Sequence, residues 1–352
     1  MKPIYVTKPF LPPIEEYIEY LRNIWGSNIL TNDGPYLREF ERELSKLTKV
    51  KNVICLANGT LALQLSLRAF ALRGKIITTP FTFVATSSTI MWRDCIPVYV
   101  DIDPDTFNID PTRIEEKITD ETVAILPVHV YGRVCEVDKI QSIAEEHNLR
   151  LIYDAAHAFG VNHNGKSVFS YGECSITSFH ATKVFNTAEG GAIFTNDDEL
   201  AYRIRLLRNF GYEDGKVVDV GINAKMSELC ATLGLVNLKY FDDCKRLRGG
   251  ISDLYYKQLK DNPNIRIPEF KSISYFPIIF NTHNYKLRIL KKLYAENIYP
   301  KEYFKPSMEL EFGSEINCEI AYDISNRILC LPFYHDLEHS SVVKICRIIN
   351  ND

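Results

Sequence analysis

The 352-residue sequence predicts an α/β fold, a mostly parallel sheet covered by helices on both faces and followed by a smaller domain. Three observations carry that prediction. From about residue 50 to residue 154, short apolar runs of β type alternate with amphipathic stretches. Residues 251–352 mix helix and strand signals and read as a separate unit. The length also exceeds what one ordinary core accommodates. The expected division is an N-terminal arm and large domain over residues 1–245, and a small C-terminal domain over residues 246–352.

Taken in order, residues 53–57 read as a strand and residues 60–72 as the helix that follows it. Residues 75–79 form the next strand, 85–92 a helix and 96–100 a further strand. Asp110 and Pro111 have the chemistry of a helix start, one as N-cap and the other at the first helical position. Residues 123–130 and 149–154 complete the buried strands. Residues 173–180 and 190–195 add two more around a polar, Gly-bearing turn. A charged amphipathic helix is expected over 197–209, and a longer helical region runs from Met226 toward Lys245. The first thirty residues stand outside the alternation and are expected to pack elsewhere as an arm.

The net charge of −4, with both signs interspersed, offers no concentrated positive field, so nucleic-acid and polybasic membrane roles are not expected. The nine cysteines are an odd number without any CxxC pair, which argues against a disulfide framework and a structural zinc site. No metal is expected. Residues 1–10 resemble neither a secretory nor a transit peptide, and no apolar run is long enough to span a bilayer. A cytoplasmic protein with a small-molecule partner is the expectation.

Residues 160–167 spell GVNHNGKS and match the phosphate-loop pattern GxxxxGK[ST]. That motif requires a helix starting at the Lys-Ser pair. Asn164-Gly165 is instead a hairpin-turn dipeptide, and residues 167–172 have no helical period, so the match is read as a decoy. Asn58, Gly59 and Thr60 stand where a strand passes into a helix. There free N–H groups and the helix dipole favour phosphate, and Thr60 as a plain N-cap is the competing reading. Asp154 ends an apolar strand, where open α/β sheets gather ligands; a buried carboxylate there needs a cationic or N–H partner, or is simply a helix cap. Lys183 follows a strand just before Glu189-Gly190-Gly191. Phosphate turn, carboxylate and lysine thus occur in a workable order on successive elements of one sheet, as a covalently held cofactor requires.

The run SFHATKVFNTAEGG over residues 178–191 resembles the lysine motif of the DegT/DnrJ/EryC1/StrS sugar aminotransferases. So do Gly34-Pro35 with Phe40-Glu41, Asn58-Gly59-Thr60, the run PFTFVAT at 80–86, Asp154-Ala155-Ala156-His157, Gly221-Ile222-Asn223 and Met226-Ser227-Glu228. Within that family the sequence is most similar to members that make dTDP-linked 4-amino-4,6-dideoxyglucose. The resemblance implies a pyridoxal-phosphate-dependent transferase of fold type I with a seven-stranded large-domain sheet. It also implies transfer of an amino group from glutamate to the keto carbon of a nucleotide-linked 4-keto-6-deoxyhexose, C4 being preferred over C3. The product would serve surface polysaccharides such as O-antigen. Two other readings stay in view, a dehydratase of the same fold and a cofactor-binding protein without turnover. Dehydratase relatives replace the lysine with His, and Lys183 counts against them.

Residue by residue, the resemblance implies Lys183 as the lysine that carries pyridoxal 5'-phosphate and moves the substrate proton. Asp154 would pair with the ring nitrogen, Phe83 would lie against the ring face, and Gly59, Thr60 and Ser178 would hold the phosphate. Asn223 would reach the cofactor of a second subunit, which makes a homodimer with shared sites the expected assembly. His157 stands where many relatives have Gln beside the ring hydroxyl. Lys225 replaces a common Arg, and His180 is either near the cofactor or an ordinary strand-end residue. Tyr303-Phe304-Lys305-Pro306 departs from the small-domain pattern in the region that contacts the sugar nucleotide.

Overall fold

The computed structural model describes residues 2–314 and 317–351. Seven strands form the central sheet: β1 Asn52–Leu56, β2 Lys75–Thr78, β3 Ile96–Tyr99, β4 Thr122–Leu126, β5 Arg150–Asp154, β6 Cys174–Ser178 and β7 Gly191–Thr195. Their spatial order is β1-β7-β6-β5-β4-β2-β3. Only β7 runs against its neighbours, pairing antiparallel with both β1 and β6. Most of the strands are rich in apolar residues because both faces of the sheet are covered. In β1, Ile54 and Leu56 pack on one face while Val53 and Cys55 pack on the other.

Helix α1 (Ile14–Ser27) lies within the expected arm, and helix α2 (Pro35–Thr48) follows it ahead of the sheet. The Tyr17 hydroxyl of α1 donates to the Leu229 carbonyl at 3.0 Å. The connections within the sheet are α3 (Gly59–Ala69), α4 (Val84–Trp92) and α5 (Val137–Glu146), followed after β7 by α6 (Asp198–Arg208). The helix expected at Asp110 is shorter than its start signal promised. Asp110 does accept the Thr112 N–H, but two short 3-10 turns follow, and Ile118 is already extended with ψ 132° to feed β4. The region after Met226 is two helices, α7 (Glu228–Lys239) and α8 (Phe241–Leu259), and α8 runs straight through position 245.

In the C-terminal part, Ile265–Arg266 (β8), Phe276–Phe280 (β9) and Ile328–Leu331 (β10) form an antiparallel sheet in that order. It packs under α8, α9 (His283–Ala295) and, beyond α10 (Met308–Glu311) and α11 (Glu319–Arg327), helix α12 (His339–Asn350). Asp101, just past β3, accepts the N–H groups of Ile320 and Ala321 at 2.9 Å each and so fastens the start of α11 to the large sheet. The decoy motif is a two-stranded hairpin, Asn162–His163 with Lys166–Ser167, turning through Asn164 (φ 48°) and Gly165 (φ 75°). No helix begins at Lys166. Among the described residues no helix is long and apolar enough to cross a membrane, and all nine cysteines are free thiols.

Candidate active site

The C-terminal ends of β1, β2, β4, β5 and β6 reach one edge of the sheet, where open α/β folds bind ligands. A cavity of about 460 Å³ opens there. Its lining brings together Gly59, Thr60, Phe83, Asp154, His157, Ser178 and Lys183, seven of the eight expected site residues, from four separate sequence segments. Asn223 is the exception. It is exposed and lies outside this cavity, held in a backbone bridge to Asn209.

At one end of the cavity α3 begins. The Asn58 carboxamide caps it by accepting the Leu61 N–H at 2.8 Å, so Asn58 is the N-cap and Thr60 is not. The Thr60 hydroxyl is therefore left to the cavity, beside the Gly59 and Thr60 N–H groups that have no intrahelical partner. A Cβ on Gly59 would sit 2.9 Å from the Ser178 Cβ, which explains why only glycine lets the turn lie against β6. Two backbone donors and two hydroxyls at a helix N-terminus make an anion cradle.

Across the cavity, Asp154 is buried at the end of β5. Its Oδ1 accepts the Ala156 N–H at 3.0 Å and its Oδ2 accepts the Thr86 hydroxyl at 2.9 Å. Burial raises its carboxyl above the usual range, opposed by those two donors and by the Lys183 charge. The same burial acts on Lys183 in the other sense and pushes its ammonium down to about 8, with Asp154 pulling it back up. An amine in that range exchanges protons near neutral pH.

His157 is buried, and burial, aided by the Lys183 charge, holds its imidazole well below the ordinary range, so it is neutral. Its Nδ1 is buried without a hydrogen-bond partner among the described residues. Phe83 is not core packing: it is 56% exposed and lies at the cavity's rim just before α4. His180 faces the cavity too, its Nδ1 2.8 Å from the Thr182 hydroxyl. Lys225 stands apart, donating to Asn209 at 2.9 Å.

Thr86 and Tyr275 are lining residues for which no site role was expected. Thr86 lies within the PFTFVAT run but carried no signal of its own. Tyr275 reaches the cavity from the small sheet, a contact that no local pattern encodes, whereas Phe304 enters from the segment before α10, within the stretch 303–306 that the resemblance places in the region contacting the sugar nucleotide.

Fold and cavity together define a type I pyridoxal-phosphate-dependent aminotransferase. The chain is 42% identical over 349 residues to the dTDP-4-amino-4,6-dideoxy-D-glucose transaminase of Shigella dysenteriae, a match over 96% of this chain and 95% of that one. The crystal structure of DesI in the presence of its TDP-sugar product superposes with a TM-score of 0.95 at 32% identity, covering 100% of this chain and 93% of that one. NtdA from Bacillus subtilis with bound cofactor PMP is similar at a TM-score of 0.87 and 29% identity, over 96% of this chain and 82% of that one. The chain belongs to the DegT/DnrJ/EryC1/StrS aminotransferase family, whose model matches residues 13–350.

Proposed function

We propose that this enzyme moves an amino group from glutamate to C4 of a nucleotide-linked 4-keto-6-deoxyhexose, with dTDP-4-keto-6-deoxyglucose as the expected acceptor. The observation that carries the reading is the meeting of Lys183 and Asp154 in one cavity opposite the α3 N-terminus. Likeness over nearly the whole chain to a transaminase named for dTDP-4-amino-4,6-dideoxy-D-glucose supports position 4.

The residues present fit pyridoxal phosphate. The free N–H groups of α3, whose first turn Gly59 lets lie against β6, and the Thr60 and Ser178 hydroxyls suit its phosphate. Asp154 suits the ring nitrogen, Phe83 offers an apolar face, and the unpartnered His157 Nδ1 is a polar atom in want of a ligand. When bound, the cofactor supplies an electron sink for the pair left behind as a proton leaves carbon.

This chain's own groups do the rest. Lys183 Nζ, deprotonated at modest cost because burial has lowered its basicity, takes and returns the substrate proton. Asp154 keeps a compensating negative charge in a buried place where an isolated cation would be costly. Tyr275 and Phe304 line the cavity from the small-domain side and place aromatic surface beside the reacting groups.

We further infer a homodimer in the cytoplasm, its product destined for a surface polysaccharide such as O-antigen. Asn223 lies outside its own cavity, and Phe210, Tyr212, Val217, Val218 and Val220 beside it are all exposed apolar residues. A second copy would cover that face and bring Asn223 toward a neighbouring cavity.

The test is to incubate purified protein with pyridoxal phosphate, glutamate and dTDP-4-keto-6-deoxyglucose, then locate the new amino group by NMR. Nitrogen on C4 supports the reading. Nitrogen on C3 of a 3-keto isomer moves the assignment to the C3 alternative, and no amination of any nucleotide keto sugar overturns the proposal.

A further inference from the structure

Two buried threonines lie beside Asp154, and they form a chain whose direction is fixed by proton counting. Thr86 Oγ1 is 2.9 Å from Asp154 Oδ2, and Thr82 Oγ1 is 2.9 Å from Thr86 Oγ1. An ionised carboxylate only accepts, so the single hydroxyl proton of Thr86 is committed to Asp154. The Thr82–Thr86 contact must then use the Thr82 proton. Both threonines are only 1% exposed, so bulk water competes little for either bond. Local structure explains the placement: Thr82 precedes α4 and Thr86 is in its first turn, one turn apart, while Phe83 between them faces the cavity rim.

We propose that Thr86, backed by Thr82, is a positioning residue for Asp154: the hydroxyl chain fixes the rotation of the carboxylate and sustains the negative charge it presents to the cofactor. This rests on the reading of Asp154 as the partner of the cofactor's ring nitrogen. The carboxylate has one oxygen held by Ala156 and the other by Thr86, so losing the threonine frees half of its anchoring. It also removes a donor that favours the ionised form and acts against burial, which favours the neutral one. Thr82 strengthens the bond by polarising the Thr86 hydroxyl. The other titratable groups around the carboxylate are Lys183 and neutral His157 close by. His180, Glu189, Tyr275 and Tyr303 line the rest of the cavity.

The experiment measures pyridoxal phosphate binding by equilibrium dialysis from about pH 5 to about pH 8, for wild type and for Thr86→Val, Thr86→Ser and Thr82→Val. Binding weakens at acid pH as Asp154 gains a proton. Removing a donor to its ionised form raises the pH at which that happens. Thr86→Val is expected to move the acid limb up and to weaken binding at its foot roughly ten- to a hundredfold, the worth of one hydrogen bond to a charged group. Thr86→Ser keeps the hydroxyl and should keep the wild-type limb, which a purely space-filling role would not require. Thr82→Val should move the limb the same way by less, and it decides the matter alone should Thr86→Val fail to fold. Coincident acid limbs in wild type and the valine variants overturn the inference while leaving the enzyme assignment standing. A wild-type protein that binds no pyridoxal phosphate at any pH overturns the assignment itself.

Discussion

The ring of Phe304 stacks on the ring of His157, with centroids 5.5 Å apart and planes within 8° of each other. His157 belongs to the turn after β5, and Phe304 comes from the segment leading into α10, so this stack joins the two sides of the cavity. Tyr275 meets the same imidazole edge-on at 5.1 Å. The histidine is therefore held by aromatic surfaces, which leaves its polar edge for a ligand.

Truncating Phe304 tests that arrangement. Phe304→Ala should destabilise the protein by about 3 kcal/mol, as loss of a buried aromatic does, measured by urea unfolding. With one wall of the imidazole gone, KM for the sugar nucleotide should rise by up to about tenfold, the worth of an aromatic pair. A variant that loses stability at an unchanged KM would reduce the stack to packing alone.

Gly59→Ala addresses the anion cradle. The added Cβ would lie 2.9 Å from the Ser178 Cβ and 3.3 Å from its Cα, so the turn must move away from β6. Cofactor affinity should fall by at least about tenfold, since N–H donors displaced by tenths of an ångström lose much of a charge-assisted bond. Adding Ser178→Gly removes the clashing atom together with one hydroxyl. It should restore stability but not full affinity, and a fully restored affinity would count against Ser178 as a phosphate ligand.

The pattern of legibility follows from range. The strand carrying Asp154 was plain in the sequence because both faces of the sheet are buried and Leu151-Ile152-Tyr153 is an apolar run, whereas the strand carrying Ser178 alternates small polar residues with Ile176. Lys183 was legible only through its company, the resemblance of residues 178–191 doing what periodicity could not. Helix α5 went unassigned although Val137, Ile140 and Ala144 are buried at helical spacing. The Asp110 start signal was read correctly as a cap but not as the head of so short a segment, because a cap says where a helix begins and nothing about its length. Phe304 was visible only as part of a substrate-contacting stretch, Tyr275 escaped because its approach to His157 spans more than a hundred residues of chain, and Thr86 escaped because a helical threonine is ordinarily unremarked.

Asp154→Asn should lower the basicity of Lys183 further. Burial alone pushes that amine down, and the Asp154 charge is what opposes it, so removing the charge removes the opposition. A lysine reacts with an acylating reagent only when deprotonated, so its rate rises with pH through its pKa. In cofactor-free protein that rise is centred near about 8, and in Asp154→Asn it should shift to lower pH. Peptide mass mapping at Lys183 reads the shift directly. An unmoved or upward-moved profile would show that the two groups do not interact.

Glu228 supplies the last test, and it separates scaffold from site. Its carboxylate accepts the Tyr36 and Leu37 N–H groups at 2.9 and 2.8 Å, capping α2 from a position 191 residues away in the chain. The N-cap itself is Gly34, which has no side chain to do the work. A Cβ there would lie 2.5 Å from the Glu228 Cδ, so glycine and glutamate are two halves of one device. Glu228→Gln keeps one acceptor oxygen and should cost about 1 kcal/mol; Glu228→Ala leaves one buried and one part-buried donor bare and should cost about 3 kcal/mol in urea unfolding. Neither residue lines the cavity, so cofactor affinity measured under native conditions should stay within about twofold of wild type. A tenfold loss of affinity at unchanged stability would place Glu228 in the active site and reverse this assignment, whereas the expected result shows that part of the family motif specifies the scaffold around the chemistry.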